Sequence, residues 1–263
     1  MLCSTCRTRP PVTADGRCAL CARSAGAPAP HAPAFTAPQQ WLRSPDTLAK
    51  TVVVLLVVVA VADLLAVAAD LNVRSLFDGV LDQGFVAVEE AEADRADMFS
   101  AGAGILQMLT TAATAVAFLM WFWRVRANAE IFDASAQPMR PGWAIGGWFV
   151  PVAGLWLPRR VAGGIWVASG GTDADGTWRD VSRTPVNLWW GAWVLSLLVG
   201  RYASGKYDRA ESAQEIASAA SQMVVADLLD VVAAVFAVLF VRKLTRMQGE
   251  RAALGPYPLG ARP

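Results

Sequence analysis

Residues 51–69 read TVVVLLVVVAVADLLAVAA, a run of 19 positions in which Asp63 is the sole charge. As a helix rising 1.5 Å per residue, such a run extends about 28 Å, enough to cross the hydrocarbon core of a bilayer. It also has a start signal, since Ser44 is a good N-cap and Pro45 suits the first helical position. The rest of the chain agrees with a membrane environment. Of its 263 residues 55% are hydrophobic and 17% charged, with a mean hydropathy of +0.38. Soluble domains run nearer roughly 45–50% apolar and about 25% charged, so the balance points to an integral membrane protein. The net charge of +1 names no partner. The opening MLCSTCRTRP lacks the pattern of a cleaved secretory signal.

Working outward from 51–69, a second apolar run occupies 101–123 and ends in an aromatic cluster before Arg124 and Arg126. Between the two runs, residues 70–100 carry eight acidic residues and two arginines, as expected of a segment outside the bilayer. Two further candidates lie at about 187–203 and 222–241. The stretch 143–160, WAIGGWFVPVAGLWLPRR, is as apolar but is broken by Pro151 and Pro158.

Charge asymmetry decides how this last stretch is read, because lysine and arginine collect on the cytoplasmic side. If 143–157 crosses, giving five spans, the 23 basic residues divide 12 inside and 11 outside. If it does not cross, 18 lie inside, and only Arg74, Arg95, Arg201, Lys206 and Arg209 lie outside. Tryptophan placement agrees. Ten of the 11 fall between 121 and 193, and with four spans they would form a belt at the inner leaflet. The predicted fold class is therefore an all-α integral membrane protein with four transmembrane helices. A Trp/Pro-rich re-entrant or interfacial segment over 143–169 does not cross. Both termini are expected in the cytoplasm of a bacterial cell, and the chain in its plasma membrane.

The strongest local motif precedes the spans. Cys3, Cys6, Cys18 and Cys21 form two CxxC knuckles within residues 1–23, the spacing of a short zinc ribbon. Four thiolates would complete a tetrahedral shell, leaving no position for substrate, so the expected zinc is structural and supplies the folding energy of the unit. Disulfides are the alternative, disfavoured by the reducing cytosol. The unit carries Arg7, Arg9, Arg17 and Arg23, which read as a solvated face rather than a nucleic-acid site. Residues 24–44 are an Ala/Pro-rich linker containing His31, and 249–263 are an irregular tail.

A second constellation lies inside the spans. The pentapeptide VADLL recurs at 61–65 and 225–229. With four spans Asp63 lies about 9 Å and Asp227 about 7 Å from the outer ends of their helices, and Asp230 follows on nearly the same face. Gln107 and Thr110 on the second span also lie in its outer half and could line the same site. Together they are candidates for an ion or proton site, or for interhelical hydrogen bonds that fix packing. No catalytic constellation is present in the sequence. The stretch GTDADGTW at 171–178 lacks the ligands of a calcium loop and reads as a turn.

Several stretches together resemble the bacterial membrane family catalogued as domain of unknown function 4328. They are Arg124-Val-Arg126-Ala-Asn128-Ala-Glu130, Trp148-Phe-Val-Pro151, Leu155-Trp156-Leu157-Pro158, Leu188-Trp189-Trp190 and Arg242-Lys-Leu244-Thr245-Arg-Met-Gln248. The matches cover about 45–248, the expected membrane domain. The resemblance implies an integral membrane protein of unassigned activity and brings no catalytic residues. The expectation is a non-enzymatic scaffold or sensor. Its cytosolic zinc ribbon and its Trp-rich inner face, including Arg124, Arg126, Asn128, Glu130, Trp148, Pro151, Trp156 and Pro158, would bind a cytosolic protein partner. The alternative is a small transporter or channel component using the aspartates. A homo-oligomer is compatible with either.

Overall fold

The computed structural model describes residues 2–12, 14–26, 42–83, 89–171 and 181–253. Most of the expected linker with His31, most of the 171–178 turn, and the tail beyond 253 lie outside the described residues. The chain divides into two compact units, Met1–Trp41 and Leu42–Pro263.

The first unit is two cysteine turns followed by helix α1 (Ala19–Gly26). The knuckles are tied by backbone bonds. The Cys3 amide donates to the Arg9 carbonyl at 2.8 Å, and the Ser4 amide to the Gly16 carbonyl at 2.8 Å. Gly16 sits at φ 76°, a conformation a glycine adopts without strain.

The second unit is all-helical among its described residues. Three helices are long and apolar enough to cross a membrane: α2 (Asp46–Gln83), α3 (Glu90–Phe132) and α7 (Ala213–Ala253). Helix α6 (Thr184–Tyr207) is shorter, and Asn187, three tryptophans and Arg201 dilute its apolar content. Helix α2 packs against α3 and α7, and α6 packs against α7. The expected start of α2 is present, with the Ser44 hydroxyl accepting from the Asp46 amide at 3.2 Å. Helix α7 starts on a capping box: the Ser212 hydroxyl accepts from the Glu215 amide, and the Glu215 carboxylate accepts from the Ser212 amide.

These helices outrun the expected spans at their acidic ends. Residues 70–83 and 90–100, read as a connecting segment, continue α2 and begin α3. Nothing in 70–83 breaks a helix: Gly79 is the only glycine and there is no proline. Small residues leading into and within this part, Ala62, Ala66 and Ala69 on α2, Ala96 and Ala103 on α3, are buried. Alanine lets neighbouring backbones approach closely. The opposite helix faces stay apolar and exposed, as with Val54, Val57, Val61 and Leu64 on α2 and Leu106, Leu109, Val116 and Met120 on α3.

The segment 143–169 contains no long helix before residue 157. It comprises a four-residue helix α4 (Trp143–Gly146), a 3-10 turn (Ala153–Leu155) and helix α5 (Leu157–Ser169), which begins on Pro158. Helix α5 packs among α3, α6 and α7, with Val161, Ile165 and Trp166 fully enclosed. Gly164 allows the preceding loop to close on it. A Cβ there would stand 2.7 Å from Pro138 Cδ and 2.8 Å from the Ala136 carbonyl oxygen. Trp121, Phe122, Trp166, Trp189 and Phe240 fill the core beside α5, with Trp189 stacked on Phe240 at 4.2 Å between centroids.

Candidate functional site

Two features have the makings of a site, one in each unit. In the first, the Sγ atoms of Cys3, Cys6, Cys18 and Cys21 all lie within 4.8 Å of one another. Cys6 and Cys18 are 3.8 Å apart, far beyond the roughly 2.05 Å of a disulfide. For Zn–S bonds of about 2.3 Å, the edge of an ideal tetrahedron is about 3.8 Å, so the sulfurs stand where a metal's thiolates would. The surroundings also favour anionic sulfur. Backbone amides of Cys6 and Cys18 hold the Cys3 thiol down to about 6, and the Cys18 amide donates to Cys3 Sγ at 3.2 Å. The Thr8 amide and hydroxyl lower Cys6 likewise. Cys21 is pushed up to about 12, chiefly by its hydrogen bond with Cys18, then by burial and its other sulfur neighbours. Without a cation the four cannot all be thiolates, and a bound metal ion would displace the remaining protons. The four cysteines could therefore bind a metal ion.

In the second unit the acidic residues predicted at matching depth do meet. Gln107 on α3 donates from one Nε2 to Asp63 Oδ1 on α2 at 2.8 Å and to Asp227 Oδ1 on α7 at 2.9 Å. One amide thus ties three helices. Asp63 and Asp227 are 1% and 4% exposed, and the second carboxylate oxygen of each is buried without a hydrogen-bond partner. Asp230 is half-buried one turn along α7. Asp70, about two turns beyond Asp63 on α2, meets the Asp227 carboxyl as well, although by sequence it opens the segment expected outside the bilayer. Thr110 lies one turn from Gln107 but turns back to its own helix, donating to the Leu106 carbonyl at 2.8 Å.

Asp63, Gln107, Asp227 and Asp230 line a cavity of about 760 Å³. Its walls are Leu56 and Val59 of α2, Met108 to Leu119 of α3, and Ala226 to Ala237 of α7. Trp148, Phe149, Trp189 and Trp193 close the opposite end.

The expected inner surface is divided between interior and exterior. Asn128 is 4% exposed: its Oδ1 accepts from the Arg43 amide, and its Nδ2 donates to the Arg43 carbonyl and to Gln248 Oε1. Gln248, itself buried, donates to the Val125 carbonyl at 2.8 Å and to Ser169 Oγ at 3.2 Å. This network joins α3, α5, α7 and the entry to α2. Arg126 is buried, ion-paired to Glu130 at 3.0 Å and bonded to the Met139 carbonyl at 2.9 Å. Arg124 reaches the Ser44 carbonyl. Trp148 stands among Phe118, Trp190 and Trp193, and Pro158 is buried. Of the eight residues expected at a recognition surface, Asn128, Arg126 and Pro158 therefore serve the interior, and Trp148 is half-buried. Pro151 and Trp156 are exposed. Gln248, Ser169 and Arg251, which donates to the Ala168 carbonyl at 2.6 Å, complete the inner lock. Their signal was faint, since a polar residue at the end of a long apolar helix reads as solvated.

These features define a helical bundle with three helices long and apolar enough to cross a membrane, a polar cluster within its apolar length and a separate thiol unit. The chain belongs to the family described as Domain of unknown function (DUF4328), whose profile matches residues 85–246. The match takes in α3 to α6 and most of α7, hence Gln107, Asp227 and Asp230, and leaves α2 with Asp63 outside. No curated protein and no solved structure matches the chain.

Proposed function

We propose that the protein is a multi-pass scaffold or sensor of the bacterial plasma membrane, with a zinc-bearing ribbon and an inner face that engage a cytosolic protein. Four spans, with α6 the fourth, leave both termini inside. In support, α6 runs about 36 Å at 1.5 Å per residue, packs on α7 and exposes Leu195 and Leu198. Segment 143–157 is the non-crossing element, since its longest α-helix is the four residues of α4.

The observation that carries the partner reading is an exposed apolar tip. Phe149 and Val152 are 71% and 72% exposed and Trp156 is 49% exposed, although neighbouring rings are packed. Val152 also has φ 61° and ψ −54°, a γ-turn closed by the Ala153 amide on the Pro151 carbonyl, a strained conformation that costs on the order of 1–3 kcal/mol. Strain at an exposed turn points to selection for presentation rather than stability. A photoreactive phenylalanine analogue at Trp156, activated in native membranes, tests this. We expect one dominant protein adduct that is lost when residues 1–40 are removed. Crosslinking to lipid alone would contradict the proposal.

The transporter reading is favoured by one observation, the Gln107 bridge between two buried aspartates in a cavity. Ion flux in proteoliposomes that disappears in a well-folded Asp227→Asn protein would favour it over the scaffold.

A further inference from the structure

The cavity between α2, α3, α6 and α7 has two unlike ends. At one, Asp63, Asp227 and Asp230 stand together; the Gln107 amide donates to the first two, and the Ser196 hydroxyl of α6 meets the third. No lysine or arginine lines the cavity among the described residues. The second carboxylate oxygen of Asp63, on a side chain 1% exposed, is buried without a partner, and the Asp227 carboxyl, 4% exposed, has beyond Gln107 only the carboxyl of Asp70 beside it. Burying carboxylate oxygens unpaired is costly, and what repays it is a cationic hydrogen-bond donor. From Gln107 to Phe118 along α3 the cavity runs about 16 Å, and this length is walled by Leu, Val, Met, Ala and Thr side chains before ending on indole rings.

A bare metal ion suits this geometry poorly. Hard cations take six or more close oxygens, whereas here the space is wide and its walls apolar. A volume of about 760 Å³ falls within the roughly 300–1,000 Å³ typical of sites for drug-sized organic ligands. Helices α3 and α6, which flank the cavity, are not among the closely packed pairs; their ring contact is Phe118–Trp189, at the indole end. The side between them is thus a route for a molecule already dissolved in the bilayer.

We propose that this cavity binds an amphiphile carrying an ammonium head, with the head on Asp63, Asp227 and Asp230 and the apolar body lying toward Trp148 and Trp193. The inference rests on the membrane reading above, not on the choice between scaffold and transporter. As a sensor the protein would report such a molecule; as a transporter it would carry it.

The test uses the full chain in phosphatidylcholine nanodiscs and a long-chain alkylamine brominated at its far end. Bromine in the cavity quenches the tryptophans that line it. We expect saturable quenching by the amine, and binding roughly tenfold weaker for the alcohol and sulfonate of equal length. Asp63→Asn/Asp227→Asn should bring the amine down to the alcohol's level. If that variant fails to insert, Asp230→Asn, which breaks no Gln107 bond, should lower amine affinity alone. Gly104→Phe enters open space, since a Cβ there meets nothing within 4 Å, and should block every probe. Competition from added phosphatidylethanolamine would identify a lipid headgroup as the source of the ammonium; no competition would point to a free amine. Equal binding of amine and alcohol to the unaltered chain would overturn the proposal, and would leave the partner and flux experiments unaffected.

Discussion

Replacing Gln107 by leucine removes one side chain and two interhelical bonds, of 2.8 Å to Asp63 and 2.9 Å to Asp227. Interhelical hydrogen bonds in membrane bundles average about 0.6 kcal/mol and reach about 1.7, so the pair should cost about 1–3 kcal/mol. The upper part of that range is expected, because the change leaves both carboxylates of Asp63 and Asp227 buried with no remaining side-chain donor from α3. The cost should shrink in an Asp63→Asn/Asp227→Asn background, where each amide can donate as well as accept and the repulsion between carboxylates is gone. Equilibrium unfolding in mixed micelles, measured for both backgrounds with and without Gln107→Leu, gives the coupling directly. We expect roughly 1 kcal/mol or more of non-additivity. Costs that agree within about 0.5 kcal/mol in the two backgrounds would mean that Gln107 does not bridge the helices.

Three further outcomes follow from particular residues. Purified protein should hold about one zinc per chain, and Cys18→Ser/Cys21→Ser should lose it while still inserting, since the thiol unit is compact by itself; elemental analysis reads both. Because each ligand must be a thiolate, metal affinity should fall as pH falls, with Cys21, raised to about 12, the costliest proton to displace; a competing chelator titrated at several pH values measures this. Gly164→Ala, which must push Pro138 and the Ala136 carbonyl aside, should destabilise by about 1–3 kcal/mol in thermal unfolding.

Much of this architecture was legible from hydropathy alone, because 51–69 and 222–241 are apolar apart from their few acidic and amide residues and long enough to need no periodicity argument. Depth arithmetic places Asp63 and Asp227 at similar depth, with Gln107 in the same half of the second span, and the structure joins the three through the Gln107 amide. Asp70 escaped because a span was taken to end where its apolar run ends, whereas α2 continues to Gln83. Helices apolar all round also conceal which face turns inward. That is why Asn128 and Arg126 read as a recognition surface, although Asn128 locks α3 to α7 through Gln248. The cavity was invisible for the same reason: Leu56, Met108 and Ala234 look no different in sequence from residues that face lipid.

The central proposal, a scaffold or sensor whose inner face and thiol unit engage one cytosolic partner, requires residues 124–186 to lie on the cytosolic side of the membrane. Single cysteines introduced at Ser135, Thr177 and Gly84 in a cysteine-free background, probed with an impermeant thiol reagent in intact cells, test this directly. The account predicts labelling at position 84 and protection at both 135 and 177 until the cells are opened. Labelling at 177 but not at 135 would show that 143–157 crosses the bilayer and would contradict it.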